Sequence, residues 1–225
     1  MLICPSILEY KAEDYFTTIK KLSSFYKYFQ IDFSDGVYVD SKTASLDDFM
    51  NLITLQTLKT LVFDFHFMVK NYEEHIKKIE AIKKIVKIKN VFIHYDLVKE
   101  IPRPDYIGAR NDKVRDFSIG LVLNPQDQVD DLADKYPLNN IPAIQIMSIV
   151  PGAQGKPFLP ETLNKIEQLR NLGYRNEIFL DGAVNDKTMP IIAALKYQPD
   201  FVCPGSYLTK TDNLKDHVDY LLQFT

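Results

Sequence analysis

A chain of 225 residues that is 46% hydrophobic and 25% charged can bury a large core and still carry a solvated shell. A formal net charge of −3 and a pI near 5.8 exclude a broadly basic nucleic-acid-binding surface, and no run of about 18 apolar residues offers a membrane span. Met1–Ser6 carries no basic residue and two cysteines do not make a disulfide framework, so a reduced, cytoplasmic protein without a secretory leader is expected.

In chain order, a short β-rich run at Leu2–Cys4 precedes an amphipathic helix at Ala12–Leu22. A strand at Tyr28–Phe33 and a helix at Leu46–Leu58 follow, then a strand at Leu61–Phe65 and a helix at Tyr72–Val86. The strand Val91–His94 leads into 99–117, where Pro102, Pro104 and Gly108 interrupt any long helix. Beyond it come strand Ser118–Leu123, helix Asp127–Lys135, strand Ala143–Met147 and helix Pro160–Leu172. Strand Glu177–Leu180, helix Asp186–Leu195, strand Asp200–Cys203 and helix Asp212–Phe224 complete the chain.

Eight strands alternating with helices imply parallel pairing with right-handed crossovers. That count and spacing predict an α/β protein with one (β/α)8 TIM barrel over residues 1–225, with no linker or second domain. Cys4 and Cys203 end the first and last strands, which become neighbours only in a closed barrel. Their Cα atoms are therefore expected within about 8 Å of one another, as structural thiols.

Polar and glycine-rich residues collect at one end of the strands. Ser6 follows the first strand, Asp32 and Asp35 end the second, His66 follows the third and His94 ends the fourth. Asn124, the 151–155 turn, Asp181 and Gly205–Ser206 follow the last four. Buried parallel strands have no packing need for carboxylates at their tips, and in barrels this end carries the active site. Asp35 is expected to order the Asp35-Gly36 turn. His75 and His217 fall on helices and are expected at the surface, and Lys156 is either a phosphate contact or a solvated lysine.

At these same positions the chain resembles the ribulose-phosphate 3-epimerase family, which includes hexulose-phosphate epimerases. The resemblance is carried by CPSIL (4–8), IDFSDG (31–36), DFHFMV (64–69), FIHYD (92–96) and GLVLNP (120–125). MSIVPGAQGKPF (147–158), LDGAVN (180–185) and PGSYL (204–208) continue it in order. It implies a metal-assisted 3-epimerase acting on ribulose 5-phosphate or a related pentulose or hexulose phosphate, with proton transfer through an enediolate. By the same resemblance Asp32 and Asp181 are the acid/base pair and, with His66, ligands of a divalent metal (Zn, Fe, Mn or Co). Ser6, His66, Met68 and Met147 would line the sugar. The phosphate would rest on Gly152, Ala153, Gln154, Gly155, Gly182, Ala183, Gly205 and Ser206. The implied partner is a small phosphorylated sugar, with no nucleic acid or membrane, and the family implies a homo-oligomer.

The chain departs from that family at the site. Gln30 stands where a histidine ligand is expected, Ser34 replaces a methionine, Ala183 replaces a glycine, and the lid reads Pro151-Gly152-Ala153-Gln154-Gly155-Lys156 in place of PGFGGQ. Val37 and Asp40 replace a histidine and a proline. These changes open a second reading, a non-catalytic phosphosugar-binding relative with a weakened metal site. A decarboxylase or synthase of the related superfamily would need a lysine in an Asp-x-Lys-x-x-Asp array, and none follows Asp32.

Overall fold

Every strand pairing is parallel, and the first strand segment closes the ring. The computed structural model describes residues 1–52, 56–98 and 117–225, so most of the proline-interrupted stretch at 99–117 lies outside the described residues. β1 (Leu2–Ile3) pairs with β9 (Phe201–Cys203), while β2 (Ser6–Ile7) pairs with β3 (Tyr28–Ser34). Between them run β4 (Val62–Met68), β5 (Lys87–His94), β6 (Ser118–Leu123), β7 (Ala143–Met147) and β8 (Glu177–Asp181), each beside the next. The crossing point is Pro5, which has no N–H to give to either neighbour but accepts from Gln30 N at 2.9 Å. Cys4 N and Ser6 N still bond to Val202 O and Pro204 O, at 3.0 and 3.1 Å. One six-residue segment thus holds both edges of the sheet, and the barrel is closed. Cys4 and Cys203 meet at that seam as free, buried thiols.

The helices follow the apolar periodicity closely. α1 (Ala12–Leu22) buries Tyr15, Ile19 and Leu22 on one face, the 3.6-residue period of an amphipathic helix. Of the expected helix Leu46–Leu58, α2 covers Leu46–Leu52 and a 3-10 turn occupies Gln56–Thr60, with 53–55 outside the described residues. α3 (Tyr72–Ile82), α5 (Val129–Lys135), α6 (Asn164–Asn171), α7 (Met189–Ala193) and α9 (Leu214–Leu222) match expected helices, α3 and α5 trimmed at one end and the others at both. Two single turns were not expected, α4 (Tyr95–Val98) and α8 (Ser206–Thr209). No helix among the described residues is long and apolar enough to cross a membrane.

The strands have two buried faces with different jobs. In β4, Phe63, Phe65 and Phe67 face outward under the helices, Phe65 stacking on Phe33 while Phe49 meets Phe63 and Phe65 edge-on. Asp64, His66 and Met68 alternate with them and belong to the inward face. His66 therefore sits within its strand and not after it, because the alternation runs on through Phe67 and Met68. The interior is filled by Phe92, Val122, Ala143, Phe179 and Phe201. A Cβ on Gly120 would lie 2.6 Å from the Phe92 ring, so glycine gives that ring its room. At the N-terminal mouth Asp64 is fully buried, accepts from Tyr28 Oη and from Asn90 N (2.7 Å), and is pushed up to about 7 by burial.

Candidate functional site

At the opposite mouth, a cavity open to solvent is walled by the residues expected to line the sugar and hold the phosphate, while Gln30, His94 and Asn124 stand outside the wall. Ser6, Asp32, His66, Met68, Met147 and Asp181 form its floor and flanks. Gly152–Gly155, Gly182, Ala183, Gly205 and Ser206 form its rim. Leu8, Ile149, Val184, Asn185 and Cys203 also line it. Lys156 is exposed and lies outside this wall, and His75 and His217 are half-buried elsewhere, His217 stacked on Tyr207.

The backbone beneath the carboxylates is fixed first. Tyr15 Oη, from the buried face of α1, donates to the carbonyl of Asp32 at 2.8 Å and ties the strand end to the helix layer. Ser6 Oγ donates to Asp32 Oδ2 at 2.5 Å across the β2–β3 pair. Asp32 is 5% exposed and Asp181 6%, so both carboxyls are buried yet reach the cavity. They are joined by Gln30, which is fully buried: its Nε2 donates to Asp32 Oδ1 at 2.9 Å and to Asp181 Oδ2 at 2.6 Å. Its Oε1 meets only a weak donor, the Cys203 thiol, at 3.7 Å.

Burial, reinforced by the charge of Asp32, pushes the Asp181 carboxyl up to about 7, against the His66 ring and the Gln30 amide. At neutral pH Asp181 is therefore poised to carry or release a proton, and two buried carboxyls so close together are not both cheaply ionised.

His66 completes the group. Its Nδ1 is 3.1 Å from Asp32 Oδ1, 3.6 Å from Asp181 Oδ2 and 3.3 Å from Gln145 Nε2. Carrying a proton, Nδ1 donates to Asp32; bare, its one lone pair either accepts from Gln145 or serves a cation. Nε2 meets His94 Nε2 at 3.0 Å, and burial drives His94 well below the ordinary imidazole value, so His94 is a neutral ring behind the site. Tyr38 packs on His94 with centroids 4.7 Å apart and donates to Asp96 at 2.8 Å.

Asp32, His66 and Asp181 each offer a ligand atom, and these lie within 4.8 Å of one another. Two carboxylates and an imidazole fit a catalytic metal site that keeps a position open. The geometry thus brings together the expected acid/base and ligand residues. Asp35 does not join them. It is a turn carboxylate, accepting from Val37 N and Tyr38 N (both 2.8 Å) and from Lys70 N (2.8 Å). Burial works against its charge, yet these amides hold it below the usual range.

The sequence profile of the ribulose-phosphate 3-epimerase family matches residues 2–208. The chain belongs to that family. Among its relatives, the ribulose-phosphate 3-epimerase of Methanocaldococcus jannaschii is 27% identical over 202 residues, covering 86% of this chain and 77% of that protein. The Escherichia coli ribulose-phosphate 3-epimerase is 26% identical over 230 residues, covering 97% and 93%. The fold is similar to that of KGPDC from Streptococcus mutans, solved in complex with D-R5P (TM-score 0.66, 11% identity, 99% and 95% covered). It is also similar to the tryptophan synthase A-subunit of Pyrococcus furiosus (TM-score 0.64, 14% identity, 99% and 97% covered).

Within this ribulose-phosphate 3-epimerase family member, the departures have structural counterparts. Gln30 bridges the two carboxylates through its N–H donors. Ser34 turns to Ser41 (Oγ to Oγ, 3.0 Å) and is not part of the cavity wall. Ala183 has φ +49°, which makes it the one non-glycine with positive φ among the described residues. Gly182 before it has φ +113° and would place a Cβ 2.6 Å from Ile149, so glycine is required there. Gln145 was not anticipated. Its Nε2 donates to Asp181 Oδ2 at 2.9 Å while its buried Oε1 has no partner. Its signal was a lone amide at an inward position of the apolar strand Ala-Ile-Gln-Ile-Met.

Proposed function

We propose that this chain is a metal-assisted 3-epimerase of a ketose phosphate, with ribulose 5-phosphate the leading substrate. The observation that carries the reading is the meeting of Asp32, His66 and Asp181 in one buried chamber that opens to the cavity. Inverting a carbon next to a ketone takes one base to remove the C3 proton and one acid to return a proton on the other face. Asp32 and Asp181 are the pair for those two steps, exchanging roles with the direction of turnover. Between the steps the substrate is an enediolate, whose negative charge needs compensation. A divalent cation held by Asp32, His66 and Asp181, when bound, supplies that compensation as a Lewis acid.

The chain's own residues do the rest. Ser6 orients Asp32 through its 2.5 Å bond. Met68 and Met147, both buried, give the reacting carbons an apolar wall that excludes water. Gln30 and Gln145 hold Asp181 in place in the absence of a cation, and Gln30 turned end for end offers an amide oxygen in its stead. Such an oxygen-rich set is poorer for zinc than one with a second imidazole and suits an oxygen-preferring ion such as Mn. The phosphate is read onto the N–H groups at Gly182–Ala183 and Gly205–Ser206. Ala183, Gly205 and Ser206 donate to no carbonyl in the loops and turns of the described residues, and successive amides in the left-handed conformation form an anion nest.

Ribulose 5-phosphate incubated with the protein and a divalent metal in D2O should take up deuterium at C3 and give the C3 epimer. The second reading, a phosphosugar-binding relative, is favoured by the bridging of both carboxylates by Gln30. Calorimetric binding of ribulose 5-phosphate with no C3 exchange under any divalent metal would establish it instead.

A further inference from the structure

The rim turn at 151–155 carries an amide whose inner end is unspent. Gln154 lines the cavity, and its Nε2 is buried without a hydrogen-bond partner. That atom lies directly over Gly205: a Cβ built on Gly205 would stand 2.9 Å from it, so the absence of a side chain at 205 gives the amide its place. The turn is in turn braced on the loop after β3, because a Cβ on Gly152 would lie 2.9 Å from Val39 Cβ. A desolvated, unpaired N–H donor is costly to keep unless a ligand acceptor pairs with it. The groups beside it are the free N–H of Gly205 and Ser206. The nearest lysine of the turn, Lys156, is exposed and outside the wall.

We infer that Gln154 is a specificity-determining residue that donates its side-chain amide to the phosphate of the substrate. It joins the backbone donors at Gly205–Ser206, so that the anion is held by neutral N–H groups alone. The inference rests on the phosphosugar reading above and adds to it a side chain from the rim. It also ties the 151–155 turn to the ligand, since the turn gains its one buried polar contact only when the phosphate is in place.

The test is binding of inorganic phosphate to the full chain, measured by calorimetry, for the wild type, Gln154→Ala and Gln154→Glu. A hydrogen bond to a charged group corresponds to about a tenfold to hundredfold change in affinity. Gln154→Ala should weaken phosphate by that factor and raise the KM for ribulose 5-phosphate while leaving kcat within a few-fold. Gln154→Glu should abolish phosphate binding by repulsion. The melting temperature of Gln154→Ala should equal or exceed that of the wild type, because an unpaired buried donor is removed. Equal phosphate affinity in the wild type and Gln154→Ala overturns the role of Gln154 and leaves the phosphosugar reading standing. A wild type that binds neither phosphate nor ribulose 5-phosphate overturns both.

Discussion

Replacing Gln30 by methionine removes two buried donors at little change in volume. Gln30 Nε2 serves Asp32 Oδ1 at 2.9 Å and Asp181 Oδ2 at 2.6 Å, and its bond holds the Asp181 carboxyl lower than burial alone would. At pH 5, below the value near 7 of Asp181, that carboxyl is protonated in the folded protein and tolerates the loss. At pH 8 the wild type holds Asp181 ionised with help from Gln30, and the variant must either keep it protonated or leave a buried charge with one donor fewer. A hydrogen bond to a charged group is worth about 1.5–3 kcal/mol. The variant can escape that loss by keeping Asp181 protonated, at about 1.36 kcal/mol per pH unit above 7, so Gln30→Met should destabilise by up to about 1.4 kcal/mol more at pH 8 than at pH 5. The sign follows from linkage: the folded carboxyl has a raised pKa, its stabilisation is present at low pH and lost as pH rises towards 7, and the variant deepens that loss. Urea denaturation at the two pH values, with a chelator present, measures the difference. Equal destabilisation at pH 5 and pH 8 would refute the bridging role of Gln30.

Ala183 adopts φ +49°, where an L side chain pays about 1–2 kcal/mol and glycine pays none. After the larger unfolded-state entropy of glycine is subtracted, Ala183→Gly should stabilise by about 0.5–1 kcal/mol in urea melts, and no gain would mean the turn is relaxed already. Asp64, pushed up to about 7 by burial, contributes stability below about pH 4 that is lost as pH rises through 7. Asp64→Asn should flatten that dependence, so the variant gains on the wild type between pH 5 and pH 8; a constant difference would contradict the burial argument. Gln30→His places an imidazole beside Asp32 and Asp181 and should tighten zinc at least tenfold in chelator competition, whereas unchanged affinity would exclude position 30 from the metal shell.

The barrel and its chemical end were legible because the carboxylates stand out against apolar strands. Asp32 ends a run of Tyr-Phe-Gln-Ile, and Asp181 ends Ile-Phe-Leu, where packing alone would ask for more aliphatic carbon. The cysteine pair located the seam for the same reason, since chain ends far apart in sequence share a residue type at one register. What sequence reading missed were partnerships across strands. That Gln145 reaches Asp181, or that His94 backs His66, depends on which inward residues share a layer, and strand alternation does not specify the stagger. His66 was displaced to a loop because Phe67 and Met68 read equally well as the start of the next connection. The left-handed backbone at Ala183 was hidden because alanine gives no hint of positive φ.

The account turns on whether Asp32 and Asp181 move a proton at C3. Deuterium uptake at C3 of ribulose 5-phosphate, followed by NMR in D2O with metal, should be rapid in the wild type. In both Asp32→Asn and Asp181→Asn epimerisation should fall by about 10²–10⁴-fold, the usual worth of a positioned acid or base. Exchange that continues at the wild-type rate in both variants would contradict the assignment.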